Sequence, residues 1–360
     1  MKFSHSLLLF LVLGLSACTK VSEEDLLPPP PDTSVNFDLD EVPYAKLSDY
    51  RFFVGELKDM EPNEMVIPYE PITPLFSDYA HKKRFIWMMP GTSANYVNDT
   101  SLLDYPNGTV FIKNFYYDSV QPLNTRKILE TRLLIKKNGA WIFADYIWNE
   151  DQTEAYNNLD GSFQQIDWIQ NGTAKSVNFR IPSEAECHTC HKANNQNTPI
   201  IPKPLHLNKT FPYFDGAMNQ LQKWKQVGYL NGNIPTNVYS VVDWTDETQP
   251  LELRMRSYLD ANCSSCHSDD GHCYYRPIRL GFNKTDNPDN LGICIPPQQF
   301  IAAQYTNIIT RGNTNKSVMY YRLNTNDPQH MMPLLGRTIV HQEAVDLLED
   351  YINSLSPACL

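Results

Sequence analysis

The sequence is short of basic residues. Its 360 residues hold 30 Lys plus Arg against 41 Asp plus Glu, a formal net charge of −11. A nucleic-acid binder needs a basic footprint, so that class is excluded. Long hydrophobic runs are also scarce. Mean hydropathy is −0.42, and the one continuously apolar stretch lies near the N terminus. That excludes a polytopic membrane protein. Cysteine is sparse: eight in a chain of this length do not make a disulfide scaffold, so their spacing says more than their number. Apolar material is plentiful at 42%, enough for a packed core and too much for a disordered chain. The length predicts two or three domains.

The first residues read as an address. Lys2 gives a positive start, Leu7 to Leu15 is a short apolar run, and Leu15-Ser16-Ala17-Cys18 closes it. This is the layout of a secretory signal over residues 1–17, and its ending resembles a bacterial lipobox. The resemblance implies cleavage before Cys18 and lipidation of that residue, with several acyl chains making a firm anchor. The only membrane contact expected is through this lipid. Residues 18–41 follow as an acidic, Pro-rich tether, with Glu23, Glu24 and Asp25 before Pro28 to Pro31. Such a run is stiff and extended. The expected location is the bacterial cell envelope, on the periplasmic side or at the outer-membrane surface.

The predicted fold class is α+β. Residues 42–180 read as an antiparallel β domain, sandwich- or barrel-like. Apolar or β-branched runs at Arg84–Met89, Thr109–Tyr117, Glu130–Lys136 and Ala140–Trp148 are parted by turn residues. Asn138-Gly139 between the last two is a strong hairpin signal, because both turn residues must take φ > 0. Aromatics such as Trp87, Phe111, Trp141, Tyr146 and Trp148 suit core and cross-strand pairs better than a sugar platform. From Ile181 the pattern turns helical. Segments Phe214–Gly228, Leu251–Asn262 and Gln342–Leu355 carry apolar residues three to four apart. Residues 181–249 and 250–360 form two further regions, mostly α, each around one cysteine motif.

Those motifs carry the chemistry. Cys187-His188-Thr189-Cys190-His191 and Cys263-Ser264-Ser265-Cys266-His267 are both C-x-x-C-H, the attachment signature of c-type haem. Two thiols one helical turn apart reach the haem vinyl groups, and the next residue, a histidine, ligates the iron. At this Cys and His content roughly 0.004 such sites arise by chance. Zinc pairs are usually spaced about 15–20 residues apart, far closer than these, and no βαβ pattern accompanies the motifs as a thioredoxin-like site would require. The reading is two covalent haems held by Cys187, Cys190, Cys263 and Cys266, with His191 and His267 as axial iron ligands.

Helix, C-x-x-C-H, a Met-Pro loop at Met332-Pro333 and a C-terminal helix follow one another in the last region. This order resembles the small cytochrome c fold, and the resemblance implies Met332 as the second axial ligand, with Met331 its neighbour. For the first haem, His206 and Met218 are the candidate distal ligands. Cys273 and Cys294 bracket a loop in an oxidising compartment and are a candidate disulfide, which leaves Cys359 unpaired.

Most of the mature chain resembles a family of secreted bacterial dihaem c-type cytochromes. The matching stretches are Thr73–Ala80, Arg84–Ile86, Gly108–Lys113, Glu130–Leu134, Tyr146–Asn149, both haem motifs, Asn219–Leu221 and Met332–Arg337. Where the family reads Met-Pro-Pro-Leu-Gly, Leu334 replaces one Pro. The resemblance implies two haems and a β-rich leading domain, but no particular reaction. Three functions follow. The first is electron transfer between redox partners, with a basic docking face on the partner to suit the acidic chain. The second is a peroxidase- or oxidase-type enzyme with an open first haem. The third is a glycan- or partner-binding module led by the β domain.

Overall fold

The computed structural model describes residues 34–359 apart from Ile201 and Asn233. Cys18 and the expected signal sequence lie outside the described residues. The chain from Ser34 onward is a single unit by its internal contacts. Among the described residues no helix is long and apolar enough to cross a membrane.

The fold is α+β with antiparallel sheets. A short ladder joins β1 (Phe53–Val54) to β2 (Glu61–Pro62). The main sheet has eight strands: β3 (Ile67–Pro68), β4 (His81–Met88), β5 (Thr109–Val120), β6 (Thr125–Lys137), β7 (Ala140–Trp148), β8 (Ala155–Asn157), β9 (Ser162–Gln170) and β10 (Thr173–Ile181). β5 is the hub. It pairs with β6 along one edge and with β4, then β9 at Val120, along the other. The β6–β7 hairpin turns where the sequence predicts, with Asn138 at φ 51° and Gly139 at φ 79°. Asn171-Gly172 makes the same turn between β9 and β10, with φ 50° and 77°. The same Asn-Gly signal marks that second hairpin, although its flanking strands are more polar.

After the sheet come α1 (Glu184–Cys190), a ladder of β11 (Lys192–Ala193) and β12 (Gln196–Asn197), α2 (Pro204–Leu207), a hairpin of β13 (Thr210–Tyr213) and β14 (Gly216–Asn219), α3 (Gln220–Gln226), α4 (Leu251–Cys263), α5 (Pro288–Leu291), α6 (Val318–Leu323) and α7 (Gln342–Ser354). The helix expected over Phe214–Gly228 is therefore shorter. Gly216–Asn219 pairs as a strand, and Asn219 caps α3 by accepting from the backbone N–H of Leu221 and Gln222. An asparagine at that position starts a helix rather than continuing one.

The sheet and the helices share their cores. Trp224, fully buried on α3, packs with Ile86, Met88 and Phe111 of the sheet. A second core joins Met255 and Leu259 of α4 to Val345, Leu348 and Ile352 of α7. The aromatics Trp87, Phe111, Trp141, Tyr146 and Trp148 are all buried, so they are packing residues and no exposed sugar platform.

One segment ties the two halves together. Thr73 donates to the carbonyl of Val242 (2.8 Å), and the Phe76 N–H donates to Asn262 Oδ1 at the end of α4 (2.8 Å). The Phe76 ring stacks on His341 at 3.9 Å. The buried carboxylate of Asp78 accepts from the backbone N–H of Thr338 and Ile339 and from the Thr338 hydroxyl. Residues 73–78 thus hold α4 and the loop after Met332 against the sheet.

Candidate functional site

The two C-x-x-C-H segments lie at helix ends. Ser183 and Glu186 form a capping box that starts α1, and the Ser183 N–H donates to Glu186 Oε2 (2.9 Å). This places Cys187 and Cys190 one turn apart, with His191 at the C-cap. The second pair stands at the end of α4, where the Cys266 and His267 N–H groups donate back to the Cys263 carbonyl.

Each motif faces its own cavity. Cys263, Cys266 and His267 line one of about 350 Å³, within the range of cofactor sites. Met332 lines the same cavity, while its neighbour Met331 does not. The Met332 loop is held by a residue whose place in the sequence suggests no role. Buried Arg337 donates to the carbonyls of Met332, Arg322, Leu323, Thr325 and Ile339 and to Asn326 Oδ1. A guanidinium has five N–H donors and spends them here on fixing a loop. Cys187, Cys190 and His191 line the other cavity, about 100 Å³, with Lys113, Arg132 and Asp145 from the sheet.

The imidazoles suit iron ligation. His191 Nδ1 is 2.9 Å from the Thr198 carbonyl, which fixes the ring and leaves Nε2 with its lone pair, as in a metal-bound histidine with a backbone partner. Burial pushes His191 down to about 3, and the nearby Lys113 and Arg132 act in the same direction. Burial, aided by Arg276, Arg279 and Arg322, brings His267 down to about 4. Both rings are therefore neutral, the form that binds metal. His267 Nδ1 is buried without a hydrogen-bond partner.

The charge around the first cavity fits an anionic group. Arg84, Lys113 and Arg132 are successive cross-strand neighbours on β4, β5 and β6. Like charges placed so are destabilising. Arg132 is paired with Glu130, but buried Arg84 has an Nη2 with no partner. Burial, together with Arg84 and Lys82, pushes Lys113 well below its ordinary value. Asp145 on β7 completes the row beside Arg132. Burial and the adjacent Glu130 push its carboxyl well up, against the pull of Arg132 3.8 Å away. The second cavity is lined by Arg276 and Arg322. A haem has two propionates, and both cavities offer cations to meet them. Among the described residues no three His, Cys, Asp or Glu side chains are grouped to hold a bare metal ion.

One sequence expectation is corrected, and the two candidate distal ligands of the first motif are located. Cys294 bonds to Cys359 and not to Cys273. α7 packs on α4 and returns the C terminus to the segment where Cys294 N–H donates to Ile309 O. Cys273 is free and lines the second cavity, its N–H donating to the Cys266 carbonyl. His206 lines neither cavity. It is buried, and its Nε2 lies 2.6 Å from Asp260 Oδ2 on α4. Burial alone would raise that carboxyl, but Lys203, His206 and the Phe282 N–H hold it below the ordinary range. Met218 lies on β14, packed against the core around Trp224. It lines neither cavity.

Comparison of the chain with protein-family models, curated proteins and solved structures finds no match.

Proposed function

We propose that the chain is a dihaem c-type cytochrome of the bacterial envelope, lipid-anchored through Cys18, that passes electrons between redox partners. One observation carries the reading. Each C-x-x-C-H presents its histidine to a cavity, and Met332, the expected second ligand, lines the cavity of His267. A bound haem supplies an iron that takes up and releases one electron at a time. The residues of the chain do the rest. Cys187, Cys190, Cys263 and Cys266 attach the two groups. His191 and His267 present neutral ring nitrogens. Met332 offers a thioether, which raises a haem's potential and closes the iron to substrate. Arg276 and Arg322 at one cavity, and Arg132 at the other, would face the propionates. A cytochrome c-like topology for residues 250–360 and a sandwich- or barrel-like closure of residues 42–180 belong to the same proposal. The acidic chain suits a redox partner with a basic docking face.

The first cavity favours a second reading. Among the described residues it is lined by no methionine and by no histidine besides His191. A haem held there by Cys187, Cys190 and His191 would leave its iron accessible to a small substrate, as a peroxidase or oxidase requires.

The test is to express the full chain with cytochrome c maturation machinery and to measure covalent haem by mass and by in-gel peroxidase staining. Two haems per chain are expected, and a chain without covalent haem overturns the proposal. The spin state then separates the readings. Two low-spin irons support a carrier, and a high-spin first iron supports an enzyme.

A further inference from the structure

The two motifs are distant in sequence, one on α1 and the other at the end of α4, yet their second cysteines share a cavity. Cys190 and Cys266 both line the cavity of His267. Cys190 lines both cavities, and Thr189 of the first motif reaches into the second cavity. The other residues common to the two cavities are Leu75, Ile200 and Leu335. All three are apolar, and no charged residue is shared. The loops that follow the motifs are tied as well, since the Asn194 N–H donates to the Asp270 carbonyl (3.0 Å). Leu75 belongs to the segment whose next residues, Phe76 and Asp78, bind α4 and the Met332 loop. The two motifs are therefore held together from several sides.

We infer that the two attachment sites are one fused site, in which haems bound through Cys190 and Cys266 meet edge to edge and act as an electronically coupled pair. The inference rests on the dihaem reading above. A thioether fixes the edge of a haem one bond from its cysteine sulfur. Two such sulfurs on the wall of one cavity bring two haem edges near each other, and apart from Cys190 the side chains common to both cavities are aliphatic. In such surroundings charges interact more strongly than across water. Oxidation of one iron then makes oxidation of the other harder, and an electron passes inside the pair without a partner protein. The unit holds two electrons that a two-electron acceptor can draw in succession.

The experiment uses the full-length holoprotein after its haem content has been measured. The ferric protein is expected to give a two-signed Soret couplet in circular dichroism. Its ferric EPR spectrum is expected to differ from the sum of two single-haem variants, Cys187→Ala/Cys190→Ala and Cys263→Ala/Cys266→Ala. Each double variant is expected to lose the couplet while keeping one haem by mass. If a double variant fails to fold, the presence or absence of the wild-type couplet decides the matter. Two haems with a single-signed Soret band and two independent low-spin signals overturn the coupling and leave the dihaem reading standing. One haem or none overturns both.

Discussion

The two C-x-x-C-H segments are spelled alike and housed differently. The first sits on a short capped helix against the charged face of a β-sheet. Its histidine is oriented by the Thr198 carbonyl, and no methionine lines its cavity among the described residues. The second ends a helix of 13 residues inside an apolar core. Its cavity is larger and holds Met332, while its histidine has an unpartnered Nδ1. The same five-residue motif therefore accepts two strategies. One site orients its imidazole through a backbone carbonyl, and the other faces its imidazole to a cavity that also holds Met332, on a loop pinned by Arg337. In the proposed reading the motif specifies attachment, while the surroundings specify potential and access.

The comparison breaks first at Met332. In the holoprotein, Met332→Ala is expected to lower the potential of one haem by a large share of the roughly 0.8 V range that axial ligands span. The other haem's potential is expected to move far less. Redox titration of both haems checks this, and an equal shift in both erases the contrast between the sites.

The next effect is on stability. His206→Ala leaves Asp260 buried without its 2.6 Å partner and is expected to cost about 3–5 kcal/mol. Haem spectra should stay unchanged, since His206 lines neither cavity. The pH dependence has a definite sign. The Asp260 carboxyl is depressed in the folded chain, so its contribution is present above the unfolded value near about 4 and fades as pH falls below it. In the variant the folded value rises and the acid loss begins at higher pH. Denaturant midpoints measured from pH 3 to 7 decide this.

The disulfide makes a smaller change, confined to the second half. Cys359→Ser opens a bridge with a sequence separation of 65 residues and is expected to cost about 2–4 kcal/mol. A reductant should lower the wild-type midpoint by a similar amount and leave the variant unmoved. Cys273→Ser should have no such effect.

The smallest prediction concerns the first motif alone. Ser183→Ala weakens the cap of α1 and is expected to cost about 1 kcal/mol. Hydrogen exchange in Glu184–Cys190 should quicken while α4 is unaffected, and a global change would dissolve the contrast between the two helices.

Much of the local structure is legible in the sequence. The β6–β7 hairpin follows from Asn138-Gly139, because two positive-φ residues between β-rich runs leave few alternatives. α4 and α7 follow from apolar spacing, and both end within one residue of expectation. The role of Leu75, Phe76 and Asp78 is not legible there, because their partners lie in α4 and beyond Met332. The cation row across β4, β5 and β6 is hidden for the same reason, since each residue alone reads as an ordinary strand charge. Arg337 resembles a solvated residue in a loop until its carbonyl partners are known.

The sequence alone determined the local features: two C-x-x-C-H motifs, a methionine before a proline, the hairpin and the two long helices. These depend on residues within a few positions of one another, where covalent spacing and φ preference dominate. The tertiary structure decided which cysteine Cys294 bonds, placed His206 against Asp260 and Met218 against the core around Trp224, and brought Cys190 into the cavity of Cys266. Those outcomes depend on how distant elements pack. Packing is set by the summed burial of many apolar side chains, which no short motif encodes.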